Sequence, residues 1–302
     1  MSSMRPIVIL GPTASGKSDV ALAVAESVGG CIIAADAMQV YRRMDIGTAK
    51  PTPDERRRVV HACIDLCEPS ERFTVARYVA AYEEVLADCN RAGAQPLVVG
   101  GTGLYITAVV DGLNLPGEWP EIRQELESEP DTIALHGRLT SLDALAATRM
   151  EPTNRRRVIR ALEVTIGSGQ LFSSFGEGVA SYPSTDIRQI GLRWSRPALA
   201  ERIAQRVHKM IANGLVEEVQ SLLAEHEPLS ATARQALGYK EIIEHLEGGV
   251  SLEASVEKVI LRTRQFAVRQ ERWFRRDPRI EWVDVVSDPV EEIATHVLQT
   301  LA

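Results

Sequence analysis

Cysteine is scarce in this sequence. Four thiols in 302 residues are too few for the disulfide framework that staples small secreted domains. Cys63 and Cys67 lie near His61, but no second pair stands at zinc-binding spacing. The six histidines are scattered and form no H-x-x-x-H pair, so no structural zinc is expected. Long apolar runs are missing too, and nothing approaches the roughly 20 residues that a membrane helix needs. Only residues 1–6 precede the first strand-like run, which leaves no signal peptide and makes the cytoplasm the expected location. Internal repeats and low-complexity tracts are also absent.

What remains is a globular composition, 45% hydrophobic, with a formal charge of −7. That sign argues at first against a polyanionic partner, but the average hides local bias. Seven arginines (262, 264, 269, 272, 275, 276 and 279) face only Glu271 and Asp277 between residues 261 and 279, and Arg155, Arg156, Arg157 and Arg160 form a second cluster. The local field sets a nucleic-acid footprint, so an acidic chain with basic stripes still suits RNA; a merely solvated charged face is the competing reading.

The most specific stretch is Gly11-Pro12-Thr13-Ala14-Ser15-Gly16-Lys17-Ser18, the pattern G-x-x-x-x-G-K-[ST]. It follows the apolar run Ile7-Val8-Ile9-Leu10 and opens a helical pattern at Val20, Leu22, Ala23 and Val24. This strand–loop–helix context marks a phosphate-binding loop. Glycines let backbone N–H groups turn toward phosphate oxygens, and the helix start adds its positive end. Lys17 supplies a charge to the terminal phosphates, and Ser18 is placed to hold Mg²⁺.

Further apolar runs at 31–35, ending at Asp36, and at 96–99, running into Gly100-Gly101-Thr102-Gly103-Leu104-Tyr105, alternate with a helical pattern at 74–89. The expected class is therefore α/β, a parallel sheet flanked by helices in the manner of P-loop NTPases. Ligands of such sheets sit at the carboxyl ends of the strands, where the loop, Asp36 and Thr102 all fall. From residue 118 the pattern becomes helical (122–127, 133–139, 142–147 and 155–165), and 167–183 reads as a mobile Gly/Ser-rich loop. Residues 1–117 and 195–302 are assigned to the core, and 118–194 to an inserted helical module closed by a strand at 188–194 that returns to the core. Apolar spacing then continues helically over 199–222 and 252–276, with a last strand at 280–285. On the 252–276 helix the arginines border the apolar arc and could line a groove.

Several of these segments, in order, resemble signatures of the tRNA dimethylallyltransferases. They are the phosphate loop, Ala35-Asp36-Ala37-Met38-Gln39-Val40-Tyr41-Arg42, Asp45-Ile46-Gly47-Thr48-Ala49-Lys50-Pro51 and Gly100-Gly101-Thr102-Gly103-Leu104-Tyr105. Arg156-Arg157-Val158-Ile159-Arg160-Ala161-Leu162-Glu163, Gln235-Ala236-Leu237-Gly238-Tyr239-Lys240-Glu241 and Thr263-Arg264-Gln265-Phe266-Ala267-Val268-Arg269-Gln270 complete the set. The resemblance implies transfer of a dimethylallyl group from its diphosphate to N6 of adenosine 37 in the tRNA anticodon stem-loop, with Mg²⁺. Lys17 and the loop residues 11–18 then hold the diphosphate. Asp36 becomes the general base, with metal ligand or helix cap as its competing roles, and Thr102 contacts the substrate nucleotide or caps the next helix. The resemblance places Asp36, Ala37, Met38, Gln39, Thr102, Arg123, Arg156, Arg157, Val158, Ile159, Arg160 and Arg264 at the tRNA, while Arg264 and Arg269 fit RNA or diphosphate alike. The family often carries paired histidines where this chain has His61-Ala62, which leaves His61 without a catalytic assignment. No Cys/His finger follows Val285, as in bacterial members. One chain contains every part needed, so a monomer is expected. The alternatives are an isopentenyltransferase for free adenine nucleotides, a small-molecule kinase using ATP, and a non-catalytic RNA-binding NTPase.

Overall fold

A computed structural model of the chain describes residues 4–176, 178, 179 and 181–299. Among these, six strands form one all-parallel sheet: β1 (Ile7–Leu10), β2 (Cys31–Ala35), β3 (Val60–Ala62), β4 (Pro96–Gly100), β5 (Arg188–Trp194) and β6 (Ile280–Val285), in the order β3-β2-β4-β1-β5-β6. Central strands buried on both faces need apolar residues at every position rather than at alternate ones. β1 shows why. Val8 and Leu10 enter one core with Ile33, Val98 and Tyr105, while Ile7 and Ile9 enter the other with Val20, Val24, Leu97 and Ile190. Register pairs Ile7 with both Leu97 and Arg188. The carboxyl ends of β2, β4 and β1 therefore lie side by side.

Strand β3 lies on the edge and was not expected from the sequence; it has three residues, and its Val60 is 65% exposed. The helical run expected over 199–222 is two helices, Arg196–Ala212 and Leu215–Leu223, because Gly214 takes φ 98° between them. Conversely, the Leu252–Phe274 helix is continuous, and it buries Ser255, Val259, Thr263, Ala267, Gln270 and Phe274. Phe266, expected in its apolar arc, is instead exposed.

The chain forms two compact units, 1–111 with 182–302, and 112–181. The expected boundary at 194 is thereby corrected. Residues 188–194 are β5, hydrogen-bonded to β1 on one side and β6 on the other, and so belong to the core sheet. Arg279 holds together the places where the core chain breaks off and resumes, donating from Nη1 to Asp111 Oδ1 and to the Pro183 carbonyl, each at 2.6 Å.

The 112–181 unit is helical: Pro120–Ser128, Thr132–Leu142, Ala144–Thr148 and Arg155–Ser168, with a short 3-10 turn at Phe172–Phe175. Residues 177 and 180 of the loop expected at 167–183 lie outside the described residues. Asp131, Asp143 and Asn154 cap helix starts with their side chains. The interior packs Leu126, Leu135, Leu139, Val158, Ile159 and Leu162. A carboxylate, Glu163, is fully buried beside them. It accepts from Trp119 N (2.9 Å) and Arg123 Nη2 (2.6 Å), and Arg160 Nη1 lies 3.1 Å away. Burial pushes this carboxyl up, but the Trp119 N–H and the two guanidiniums outweigh it and hold the group below its ordinary value. Replacing Glu163 with Ala leaves two half-buried cations facing each other. Chemical denaturation of the variant should show this unit weakened by about 3 kcal/mol, and an unchanged midpoint would deny the cluster its structural role.

Candidate active site

The phosphate loop is shaped by residues distant in sequence. Gly16 takes φ 88° and caps the Lys17–Val28 helix. A Cβ there would stand 2.4 Å from Pro289 Cγ, so only glycine satisfies both the backbone and the space. Ala14 is also left-handed, at φ 63°, a conformation that costs a non-glycine residue about 1 kcal/mol or more unless the surroundings enforce it. They do. Trp194 Nε1 donates to Ser15 O, Arg202 Nε donates to Ala14 O, and Thr13 N donates to Gln270 Oε1, all at 2.9 Å. The Arg202 guanidinium also lies 4.4 Å above the Trp194 ring. Inside the loop, the buried Ser15 hydroxyl has no hydrogen-bond partner among the described residues.

Gln270 does more than hold Thr13. Its Nε2 donates to Gly101 O at 2.8 Å, so one amide joins the phosphate loop after β1 to the Thr102 loop after β4. A Cβ on Gly101 would fall 2.3 Å from that Nε2, so glycine is what leaves the bridge in place. Thr102 continues the chain of contacts: its Oγ1 accepts from Ala37 N at 3.0 Å, and its N–H donates to Ala35 O. Asp36 follows β2, and its Oδ1 accepts from Met38 N (2.8 Å) and Gln39 N (3.4 Å). The cap role expected as an alternative thus exists as a turn, occupying one oxygen; Oδ2 carries no hydrogen bond among the described residues.

Two cations complete the site. Burial, and then the neighbouring Arg206, bring the Lys17 ammonium down to about 8, against the pull of Asp36 and Asp19. Burial likewise lowers Arg206, while Asp36 and Asp19 favour its charge. Among the described residues, Lys17 Nζ reaches only Pro12 O, at 3.5 Å. The loop, two cations and one carboxylate form a site for a multiply charged anion beside a proton acceptor.

Comparison with known proteins decides the family. The IPP transferase family model matches residues 39–277, and a model described as isopentenyl transferase matches residues 4–65. The chain belongs to the IPP transferase family. It is 44% identical to the tRNA dimethylallyltransferase of Geobacter metallireducens, covering 93% of this chain and 92% of that one. It is 43% identical to that of Synechocystis, over 99% and 97%. The crystal structure of a tRNA isopentenylpyrophosphate transferase from Bacillus halodurans matches with a TM-score of 0.72 at 36% identity, covering 98% and 96%. A eukaryotic dimethylallyltransferase shares the fold at TM-score 0.81 and 24% identity, over 97% and 78%.

For this family member the structure sorts the residues expected from sequence. Gly11, Pro12, Thr13, Ala14, Ser15, Gly16, Lys17 and Ser18 form the loop; Asp36, Ala37, Met38, Gln39 and Thr102 gather at the neighbouring strand ends. In the 112–181 unit, Arg156 and Arg157 are exposed and enter no ion pair among the described residues. Arg155 is spent on the carbonyls of Glu127, Glu129 and Pro130, and Arg123 and Arg160 on Glu163. Val158 and Ile159, expected at the RNA, have side chains that fill the interior, at 0% and 4% exposure. The arginine stripe of the Leu252–Phe274 helix is also partly neutralised, since Arg262 pairs with Glu241 and Arg275 with Glu271. Arg264 is exposed and donates to Ala200 O at 3.4 Å, and Arg269 lies 5.7 Å from the Phe266 ring centroid.

Sequence reasoning missed Trp194, Arg202, Arg206 and Gln270 as site residues. Gln270 carried a signal, a glutamine on the buried stripe of a helix, where an amide needs partners. Gln270→Leu keeps the volume but strands the Thr13 N–H and the Gly101 carbonyl. Urea unfolding should register a loss of about 2 kcal/mol, whereas wild-type stability would show that water satisfies both groups.

Proposed function

We propose that this chain transfers a dimethylallyl group from dimethylallyl diphosphate to N6 of adenosine 37 of tRNA, giving N6-isopentenyladenosine and diphosphate. Family membership makes it a prenyl transferase, and the names of its relatives supply tRNA as the acceptor. One observation of the site carries the chemistry: Asp36 is coupled to Lys17 and Arg206 and keeps one oxygen free. The loop amides, Lys17 and Arg206 take the charge that grows on the departing diphosphate as its C–O bond breaks. As the new C–N bond forms, the N6 amine becomes acidic and passes its proton to Asp36, so the carboxylate needs no raised basicity. Thr102 positions the Asp36 turn through Ala37.

The donor set favours Mg²⁺ over a metal with its own protein cage. Among the described residues no three His, Cys, Asp or Glu side chains come together, while Ser18 stands exposed on the first helical turn. That suits an ion that keeps waters and takes most of its oxygens from a diphosphate. When bound, it would supply further charge neutralisation on the leaving group.

The target base must leave the anticodon-loop stack to reach Asp36, which single-stranded loops permit cheaply. Within the 155–160 cluster, Arg156 and Arg157 are the arginines available for RNA phosphates. One chain suffices for the reaction, so a monomer is proposed, acting in the cytoplasm; no helix among the described residues is long and apolar enough to cross a membrane.

Nucleoside mass spectrometry of unmodified tRNA after incubation with enzyme, Mg²⁺ and dimethylallyl diphosphate tests the reading, with AMP and ATP as parallel acceptors. Isopentenyladenosine at position 37 is expected. Product on free nucleotide alone would overturn the tRNA assignment, and loss of the ATP γ-phosphate without a prenylated product would point to a kinase. In the same assay Asp36→Ala should cut kcat by about 10²-fold to 10⁴-fold while tRNA binding persists; normal turnover at saturation would reject Asp36 as base. Donor affinity carries a second signature. A lysine near 8 is charged below that pH and neutral above it, so once the diphosphate is fully ionised, above about pH 7, calorimetric affinity for dimethylallyl diphosphate should hold steady up to pH 8. Beyond it, affinity should fall by roughly tenfold per unit, a break that Lys17→Arg should remove.

A further inference from the structure

Two signatures, residues 45–51 and 235–241, have no part in the reaction as proposed, yet they meet in the core unit. The 45–51 loop wraps a carboxylate. Glu218, on the Leu215–Leu223 helix, accepts from Asp45 N (2.9 Å) and Ile46 N (2.7 Å) on Oε2, and from Gly47 N (3.2 Å) on Oε1. The Tyr239 hydroxyl donates to the same Oε1 at 2.5 Å. Its ring lies so close to Gly47 that a Cβ there would meet Tyr239 Cε2 at 2.4 Å. Burial, with Glu218 and Asp45 next to it, holds that hydroxyl protonated. At the far end of the loop the Lys50 side chain, 1% exposed, bonds Tyr41 O (2.5 Å), Asp45 Oδ1 (2.7 Å) and Asp65 Oδ1 (2.6 Å). Ala49, between the two clamps, is held at φ 48°.

The product of this bracing is the placement of two carbonyls. Gln39 Nε2 donates to Thr48 O at 3.1 Å and to Ala49 O at 3.2 Å. With both amide protons taken by carbonyls, the side chain cannot flip without setting oxygen against oxygen. Its Oε1 is thereby fixed as a pure acceptor, and it has no hydrogen bond among the described residues. Gln39 follows Asp36 within the same turn, where the acceptor base must sit.

We propose that Glu218 and Tyr239 are positioning residues for acceptor selection: by holding the 45–51 loop they lock the Gln39 amide so that Oε1 is offered to the exocyclic amine of the target base. An amine donates to that oxygen; a keto group in the same place repels it. The inference rests on the proposed adenosine acceptor and deepens it.

Binding of two anticodon stem-loop hairpins, one with adenosine at position 37 and one with inosine, tests it. The enzymes are the wild type, Gln39→Leu, Tyr239→Phe and Glu218→Gln, with dimethylallyl diphosphate affinity measured alongside. Wild type should prefer the adenosine hairpin by at least about tenfold, since a site built to pair a polar group rejects the analogue lacking it. In each variant the preference should shrink by about fivefold, with donor affinity unchanged within about twofold. Tyr239→Phe is the decisive variant if Glu218→Gln folds poorly, because it keeps the ring against Gly47 and removes one hydroxyl. A preference that survives in Tyr239→Phe and Gln39→Leu overturns the proposal, as does equal weakening of donor and hairpin binding, which marks a structural role alone. If wild type prenylates position 37 yet binds both hairpins equally, this inference fails and the reaction stands. Absence of prenylated tRNA removes both.

Discussion

The site depends on a loop that cannot hold its own shape. A phosphate loop must turn its amides inward and its carbonyls outward, and the outward carbonyls need donors. Here the donors come from the other end of the chain: the indole of Trp194 for Ser15, the guanidinium of Arg202 for Ala14. The Gln270 amide accepts from the Thr13 N–H and donates to the Gly101 carbonyl. The left-handed Ala14 persists because these contacts over-determine it. Strand β5 and the two long C-terminal helices are therefore part of the loop's structure, although Trp194, Arg202 and Gln270 are spent on the loop itself.

Much of this was legible in sequence. The apolar runs of β1, β2 and β4 announce strands buried on both sides, and the glycines and polar residues after them mark the carboxyl edge where Asp36 and Thr102 meet the loop. Short or composite elements were not legible. Strand β3 has three residues and one exposed valine, too little for periodicity to reveal. Gly214 breaks a run whose apolar spacing continues through it, so the pattern alone reads as a single helix. Arg206 and Arg202 lay inside that run as ordinary helix-surface arginines; only the packing of the helix against the loop gives them a role.

Charge shows the same division. Clusters of arginine suggest RNA, but a guanidinium has many ways to be used within a protein. Arg123 and Arg160 converge on the buried Glu163, Arg155 gathers three carbonyls, and Arg262 and Arg275 pair with glutamates. What the sequence displays as a basic stripe is in large part internal cement, and within the 155–160 cluster Arg156 and Arg157 are what remains facing outward. Within the signature 156–163 the residues thus split by helical face: exposed charge on one side, buried Val158, Ile159 and Glu163 on the other.

Arg279 carries a consequence of a different kind. By tying Asp111 to the Pro183 carbonyl, it closes the core on itself at the place where 70 residues, 112–181, are spliced in. The sheet, with β4 before the splice and β5 after it, is continuous without them. Lengthening a loop between fixed ends costs little entropy, rising only with the logarithm of its length. The inserted unit can therefore lengthen or shorten while the register of the sheet that carries the chemistry stays fixed.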